Sequence, residues 1–137
     1  MINIVATTPA HGVKAKPRKI ESAEAPYRDS SIQRCPSLTM LDMDGRVVAI
    51  TGAYPIKLLD AEYYTWLYGT DLIYRYPKTF FKACRIVLHS FPLPVWAWIN
   101  EKHQQAVAMA EKLELKPTKT GKQVDSTLSY RAYIWHP

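Results

Sequence analysis

The run Val95-Trp96-Ala97-Trp98-Ile99 passes without a linker through Asn100-Glu101 into a stretch where Ala106, Met109, Ala110 and Leu113 recur at i, i+3, i+4 and i+7. Five consecutive apolar residues have the length and composition of an interior strand. The spacing that follows is that of a helix with one apolar face. Asn100 is a good N-cap and Glu101 suits the positive helix terminus, so the helix is expected from Glu101 to Leu113. A buried strand that feeds an amphipathic helix restricts the chain to folds in which helix packs on sheet.

The rest of the chain supplies the sheet. Ser37-Leu38-Thr39-Met40-Leu41-Asp42 alternates apolar and polar, Asp44-Gly45 is a two-residue turn signal, and Arg46 to Ala53 is rich in β-branched residues. A β-hairpin is expected there, with Gly52 marking a bulge or a close backbone approach. Ile2–Ala6 reads as a first strand, stopped by Thr7-Thr8-Pro9. Ile56–Glu62 is ambiguous, whereas Tyr63–Tyr68 has strong strand propensity. Leu72–Tyr76 reads as a further short strand or as the approach to a helix. After Pro77, the residues Phe80, Phe81, Cys84, Val87 and Leu88 fall at helical spacing and predict a helix of about three turns, ended by Phe91-Pro92-Leu93-Pro94. Leu115–Thr118 and Ser126–Trp135 then read as strands across a polar turn, Lys119–Gln123.

From His11 to Pro36 the chain is polar and basic, with Pro17, Pro26 and Pro36 as breakers and at most one short helix around Ile20–Ala25. The expected organisation is one domain over 1–137, with a poorly organised 1–36 and a sheet-and-helix core over 37–137. An apolar fraction of 47% with four Trp, nine Tyr and three Phe argues against a chain disordered throughout.

Cys35 and Cys84 have no CxxC or Cys/His spacing around them, so neither zinc nor a disulfide framework is expected, and a reducing compartment is. No basic flank precedes an apolar signal core, and no apolar run approaches the ~20 residues of a membrane span; no membrane partner is expected. The net charge of +6 and pI near 9.3 favour anionic company. That charge is uneven: residues 72–90 carry Arg75, Lys78, Lys82 and Arg85 with no carboxylate.

The segment Ile99–Lys116 resembles, without a gap, the V-N-x-x-N-x-x-A-x-x-x-Y-x-K-x-G-F signature of GCN5-related N-acetyltransferases (GNAT), at Ile99, Asn100, Ala106, Lys112 and Leu115. The resemblance implies an α/β (α+β) fold with a mixed, mostly antiparallel central sheet flanked by helices. It also implies what is missing. Ala110 stands where these enzymes place a tyrosine as general acid for the coenzyme A thiolate, and a methyl group cannot donate a proton. His103 replaces the second asparagine, and Glu114 the glycine. The family's glycine-rich pyrophosphate loop corresponds to Arg75–Lys82, which has no glycine and loses a donor at Pro77.

By that resemblance Lys78, Thr79, Asn100 and His103 are the vestige of a cofactor site, with no catalytic residue, no metal and no cofactor expected. The hairpin, the cationic middle helix and the Trp-Ala-Trp-Ile-Asn unit are also similar to a small degenerate GNAT-like internal virion protein of short-tailed bacteriophages. This implies a structural accessory protein in the virion, present in the host cytoplasm during assembly, with other virion proteins in an oligomeric assembly, and DNA, as partners. The alternatives are an active N-acetyltransferase using acetyl-CoA, with Lys78 and the helix terminus on its phosphates, and a small DNA-binding protein.

Individual residues carry paired readings. Lys78, Lys82, Arg85 and His89 follow i, i+4, i+7, i+11, as an anion-binding stripe or as a solvated helix face. His103 completes the cap of its helix or serves as a base, though no carboxylate is placed to orient its ring. Cys84 reads as core, and Cys35 as a loop thiol without an activator. Trp66, Trp96, Trp98 and Trp135, with Tyr130 and Tyr133, supply core area or stacking platforms. Lys14–Lys19 is an arm that orders on a partner or a plain flexible segment.

Overall fold

The computed structural model describes residues 2–8, 10, 11, 37–126 and 128–137. The expectations for Cys35, for Lys14–Lys19 and for a helix at Ile20–Ala25 lie outside them. The chain divides into two compact units, Met1–Tyr54 with Trp66–Val87, and Pro55–Thr65 with Leu88–Pro137.

The first unit holds β1 (Asn3–Ala6), β2 (Ser37–Leu41), β3 (Val47–Tyr54), the end of β4 (Tyr63–Gly69), a 3₁₀ turn (Asp71–Tyr74) and α1 (Pro77–His89) as far as Val87. β1–β2 and β2–β3 are antiparallel. The run Val47–Gly52 is buried throughout, which is why β3 reads as continuously apolar instead of alternating. The Asp44-Gly45 signal produces a three-residue loop where two residues were expected. Asp42 N–H donates to Arg46 O, Gly45 N–H donates to Asp42 O, and Gly45 takes the left-handed conformation at φ 74°. Asp42 fixes this turn: its carboxylate accepts from the Asp44 and Arg46 amides at 3.0 and 2.9 Å and from Arg46 Nε at 2.8 Å.

Of the two readings of Leu72–Tyr76, the approach to a helix holds and the strand does not. Thr70 caps the 3₁₀ turn, accepting from Leu72 N–H, and its buried hydroxyl lies 2.8 Å from Val47 O. Pro77 then opens α1, where its missing N–H costs nothing. Phe80, Ala83 and Cys84 are buried, while Lys78, Lys82, Arg85 and Ile86 are exposed.

The second unit holds the start of β4, β5 (Val95–Asn100), α2 (Gln104–Lys112), β6 (Lys116–Gln123) and β7 (Ser129–Trp135). β4 and β5 run parallel at Tyr63↔Val95 and Tyr64↔Trp96; β5–β7 and β6–β7 are antiparallel. Alternate residues of β5 and β7 build two layers. Val95, Tyr133 and Trp135 pack with Leu88, Ala110 and Leu115, and Trp96, Ala132 and Ile134 pack with Ala61. The Trp96 indole is satisfied by Ile56 O at 2.7 Å. Among the described residues, hydrogen bonding joins the strands in the order β1-β2-β3-β4-β5-β7-β6, a seven-stranded, mixed, mostly antiparallel sheet.

Two boundaries differ from expectation. The helix begins at Gln104 rather than Glu101, because the sheet holds the chain longer: Asn100 is registered with Tyr130, and Glu101 N–H donates to Ser129 O. Lys119–Gln123 is part of β6 rather than a turn. Its ladder with β7 is interrupted between Pro117 and Gly121, and Arg131 Nη1 donates to Thr118 O across the irregularity. The reversal comes later, where Val124 N–H donates to Leu128 O.

Candidate functional site

Helix α2 ends in a motif that defines the role of two positions the resemblance singled out. Leu113 closes the helix, and Glu114 follows at φ 66°, in the left-handed region. Glu114 N–H donates to Glu111 O at 3.0 Å and Leu115 N–H to Ala110 O at 2.9 Å, the paired bonds of a Schellman cap. This backbone conformation suits glycine, and Glu114 holds it with a Cβ. Ala110 is 2% exposed and shares a cluster with Leu115, the apolar contact that accompanies such a cap. The position at which a tyrosine acid was sought is therefore a packing position.

Asn100 and His103 are brought together by the turn between β5 and α2. His103 N–H donates to Asn100 O at 2.9 Å, and Asn100 Oδ1 accepts from Lys102 N–H at 3.1 Å. Asn100 thus caps this turn instead of the helix. His103 occupies the N-cap position, its carbonyl accepting from Val107 N–H while its ring makes no capping bond. Both residues are 7% exposed. Glu101, exposed, pairs with Arg131 at 3.2 Å.

Lys78 and Thr79 belong to the first turn of α1, in the other unit. Phe80 N–H is committed to Tyr76 O at 2.8 Å, and Pro77 has none. Only the amides of Lys78 and Thr79 are left at that terminus, both carrying side chains where a phosphate cradle uses glycine. In the second unit, Asn100 Oδ1 is committed to the Lys102 amide.

Of the expected cationic stripe, Lys78, Lys82 and Arg85 lie in the first unit and are exposed. His89 lies in the second, its ring 5.3 Å from that of Trp135. Cys84 is buried, and burial pushes its thiol up to about 12, so it is no nucleophile at neutral pH. Trp66, Trp96, Trp135 and Tyr133 are core. Trp98 is half-buried, with Lys122 Nζ 4.6 Å from its ring and 5.5 Å from that of Tyr130.

The sequence offers Tyr133 as core area or a stacking platform and gives it no acid–base role. It lies in Ala110's cluster, and its hydroxyl is pushed up by burial, then by the carboxylates of Glu111 and Glu101. Only its cluster reveals it, because a tyrosine on a strand has no spacing signal. Among the described residues no group of three or more His, Cys, Asp or Glu is placed to hold a metal ion, and no helix is long and apolar enough to cross a membrane.

No protein-family model and no curated protein matches the chain. Solved structures do. An N-acetyltransferase from Staphylococcus aureus Mu50 superposes with TM-score 0.62 at 12% identity, over 99% of this chain and 98% of that one. A GNAT superfamily phosphinothricin acetyltransferase from Sinorhizobium meliloti in complex with AcCoA gives TM-score 0.60 at 14% identity, over 98% and 88%. A spermidine N-acetyltransferase chimera from Vibrio cholerae and hSSAT gives 0.66 at 8%, over 98% and 95%. The chain has a GNAT-like fold.

Proposed function

We propose that this GNAT-like chain works as a non-catalytic accessory protein of a bacteriophage particle, in contact with other virion proteins in an oligomeric assembly, and in the host cytoplasm while particles form. The observation that supports the loss of catalysis is Ala110, buried in the α2 cap where the resemblance calls for a proton donor. What supports a place in a particle is the resemblance of the hairpin, the middle helix and the Trp-Ala-Trp-Ile-Asn unit. The test is immunodetection of the chain in gradient-purified particles of the phage that encodes it. Cofractionation at a fixed copy number is expected, and its absence from the particles overturns the role.

A second reading is an N-acetyltransferase that uses acetyl-CoA. It is favoured by the solved structures, whose names are those of acetyltransferases, and by the phenol of Tyr133 in the cluster of Ala110. In that reading Tyr133 replaces the missing acid, and Tyr133→Phe abolishes coenzyme A release in the presence of polyamine acceptors. Release that is absent from the parent protein sinks the reading.

A further inference from the structure

We infer that the exposed face of α1 formed by Lys78, Lys82 and Arg85 binds the phosphate backbone of nucleic acid without regard to sequence. This goes beyond the accessory role proposed above and does not depend on it.

The three cations stand on a helix that carries no carboxylate, unlike α2 with its Glu111. Arg46 is bound to Asp42 at 2.8 Å, Arg131 to Glu101 at 3.2 Å and Lys57 to Glu62 at 3.6 Å. Lys78, Lys82 and Arg85 form no ion pair among the described residues, and nothing between residues 72 and 90 carries a carboxylate. Helix surfaces ordinarily gain from oppositely charged neighbours three or four positions away, and α1 has none. Its first turn also lacks an acidic residue and carries Lys78, a cation at the positive end of the helix dipole. Such an arrangement leaves positive potential uncompensated among the described residues, where an external anion answers it.

The array is also rigid. Lys78, Lys82 and Arg85 stand at i, i+4 and i+7, spanning roughly 10 Å of helix axis. On the same helix Phe80 and Cys84 are 4% and 7% exposed, so the core fixes how α1 presents its charges. A line of cations on a fixed helix matches a polyanion with regularly spaced charges. Nucleic acid is favoured over an acidic protein because two of the three are lysines, which protein–protein interfaces avoid and phosphate contacts use. Ile86, 66% exposed beside Arg85, is a single apolar side chain of the kind surfaces commonly carry.

The experiment is fluorescence anisotropy of a labelled mixed-sequence duplex with the full chain, titrated between ~50 and ~200 mM salt. Three phosphate contacts give a slope of log K against log salt of roughly −2.7, and Lys82→Glu with Arg85→Glu flattens it by about two while weakening binding at least about tenfold at low salt. Lys82→Gln with Arg85→Gln is the second variant should the charge reversal fail to fold, and each variant is checked for an unchanged melting temperature. Ile86→Ala is expected to bind as the parent does. The inference is overturned if no duplex binds, or if the double variants bind like the parent. It is also overturned, in favour of an acidic protein partner, if poly-L-glutamate of equal charge displaces the duplex fully and Ile86→Ala weakens binding.

Discussion

The indole of Trp66 lies against the backbone of Gly52: a Cβ on Gly52 would stand 2.5 Å from Trp66 Cζ2 and 2.8 Å from Cε2. Residue 52 is thus restricted to glycine by a ring from the neighbouring stretch of its own unit. Gly52→Ala is expected to cost about 1–3 kcal/mol in urea denaturation, the usual penalty of overpacking. Trp66 Nε1 is buried with no hydrogen-bond partner among the described residues, so Trp66→Phe strands no polar group while removing the colliding atoms. In a double-mutant cycle the alanine should cost clearly less in the Trp66→Phe background, and equal costs would show that the contact does not set the residue.

Glu114 holds a left-handed conformation at φ 66°, where a Cβ is unfavourable. Glu114→Gly keeps both cap hydrogen bonds and should stabilise the protein by about 1 kcal/mol, whereas the β-branched Glu114→Val should destabilise it. Thermal denaturation of the two variants beside the parent checks both signs.

Ala110 fills a closed cluster with Leu88, Val95, Leu115, Tyr133 and Trp135. Restoring the tyrosine of the acetyltransferase signature with Ala110→Tyr is expected to lower stability by about 1–3 kcal/mol through overpacking, and to add no coenzyme A release. A stable variant that releases coenzyme A would mean that the position faces a working site.

Burial tends to raise the Asp42 carboxyl, but hydrogen bonds from the Arg46 amide and guanidinium and the Asp44 amide outweigh it and hold the group below its ordinary value of 3.8. The stabilisation is therefore complete above the ordinary value and is lost as pH falls through the lower folded value. The melting-temperature difference between the parent and Asp42→Asn should be constant near neutrality and shrink below about pH 4. A difference independent of pH would remove the carboxylate from the account.

Cys84, with its thiol at about 12, should resist a thiol reagent in native protein carrying Cys35→Ser, and react at once in denaturant. Rapid labelling of the native form would contradict the buried face of α1.

Much of this fold was legible where periodicity was strong. Phe80 and Cys84 announced α1, Gly52 announced a close approach, and Trp96 and Trp98 announced an interior strand followed by a helix. The start of α2 was misplaced because a ladder bond, Glu101 N–H to Ser129 O, keeps the chain in the sheet past a residue that looks like a helix cap. Part of β6 was read as a turn because a solvated edge strand with lysines and an interrupted register has no period to recognise. The conformation of Glu114 left no trace in its residue type. For the candidate site, the sequence showed which positions depart from the signature it resembles, and only the structure showed that Ala110 packs in the helix cap and that Asn100 caps the preceding turn.

The proposed absence of acetyl transfer from this GNAT-like fold is tested most directly by titrating acetyl-CoA into the purified chain during thermal unfolding. A ligand present at ~100 times its Kd stabilises by about 2.7 kcal/mol, which is several degrees in a chain of this size. No shift is expected at millimolar acetyl-CoA. A saturable rise in melting temperature, accompanied by release of coenzyme A when an amine is added, would contradict the proposed accessory role.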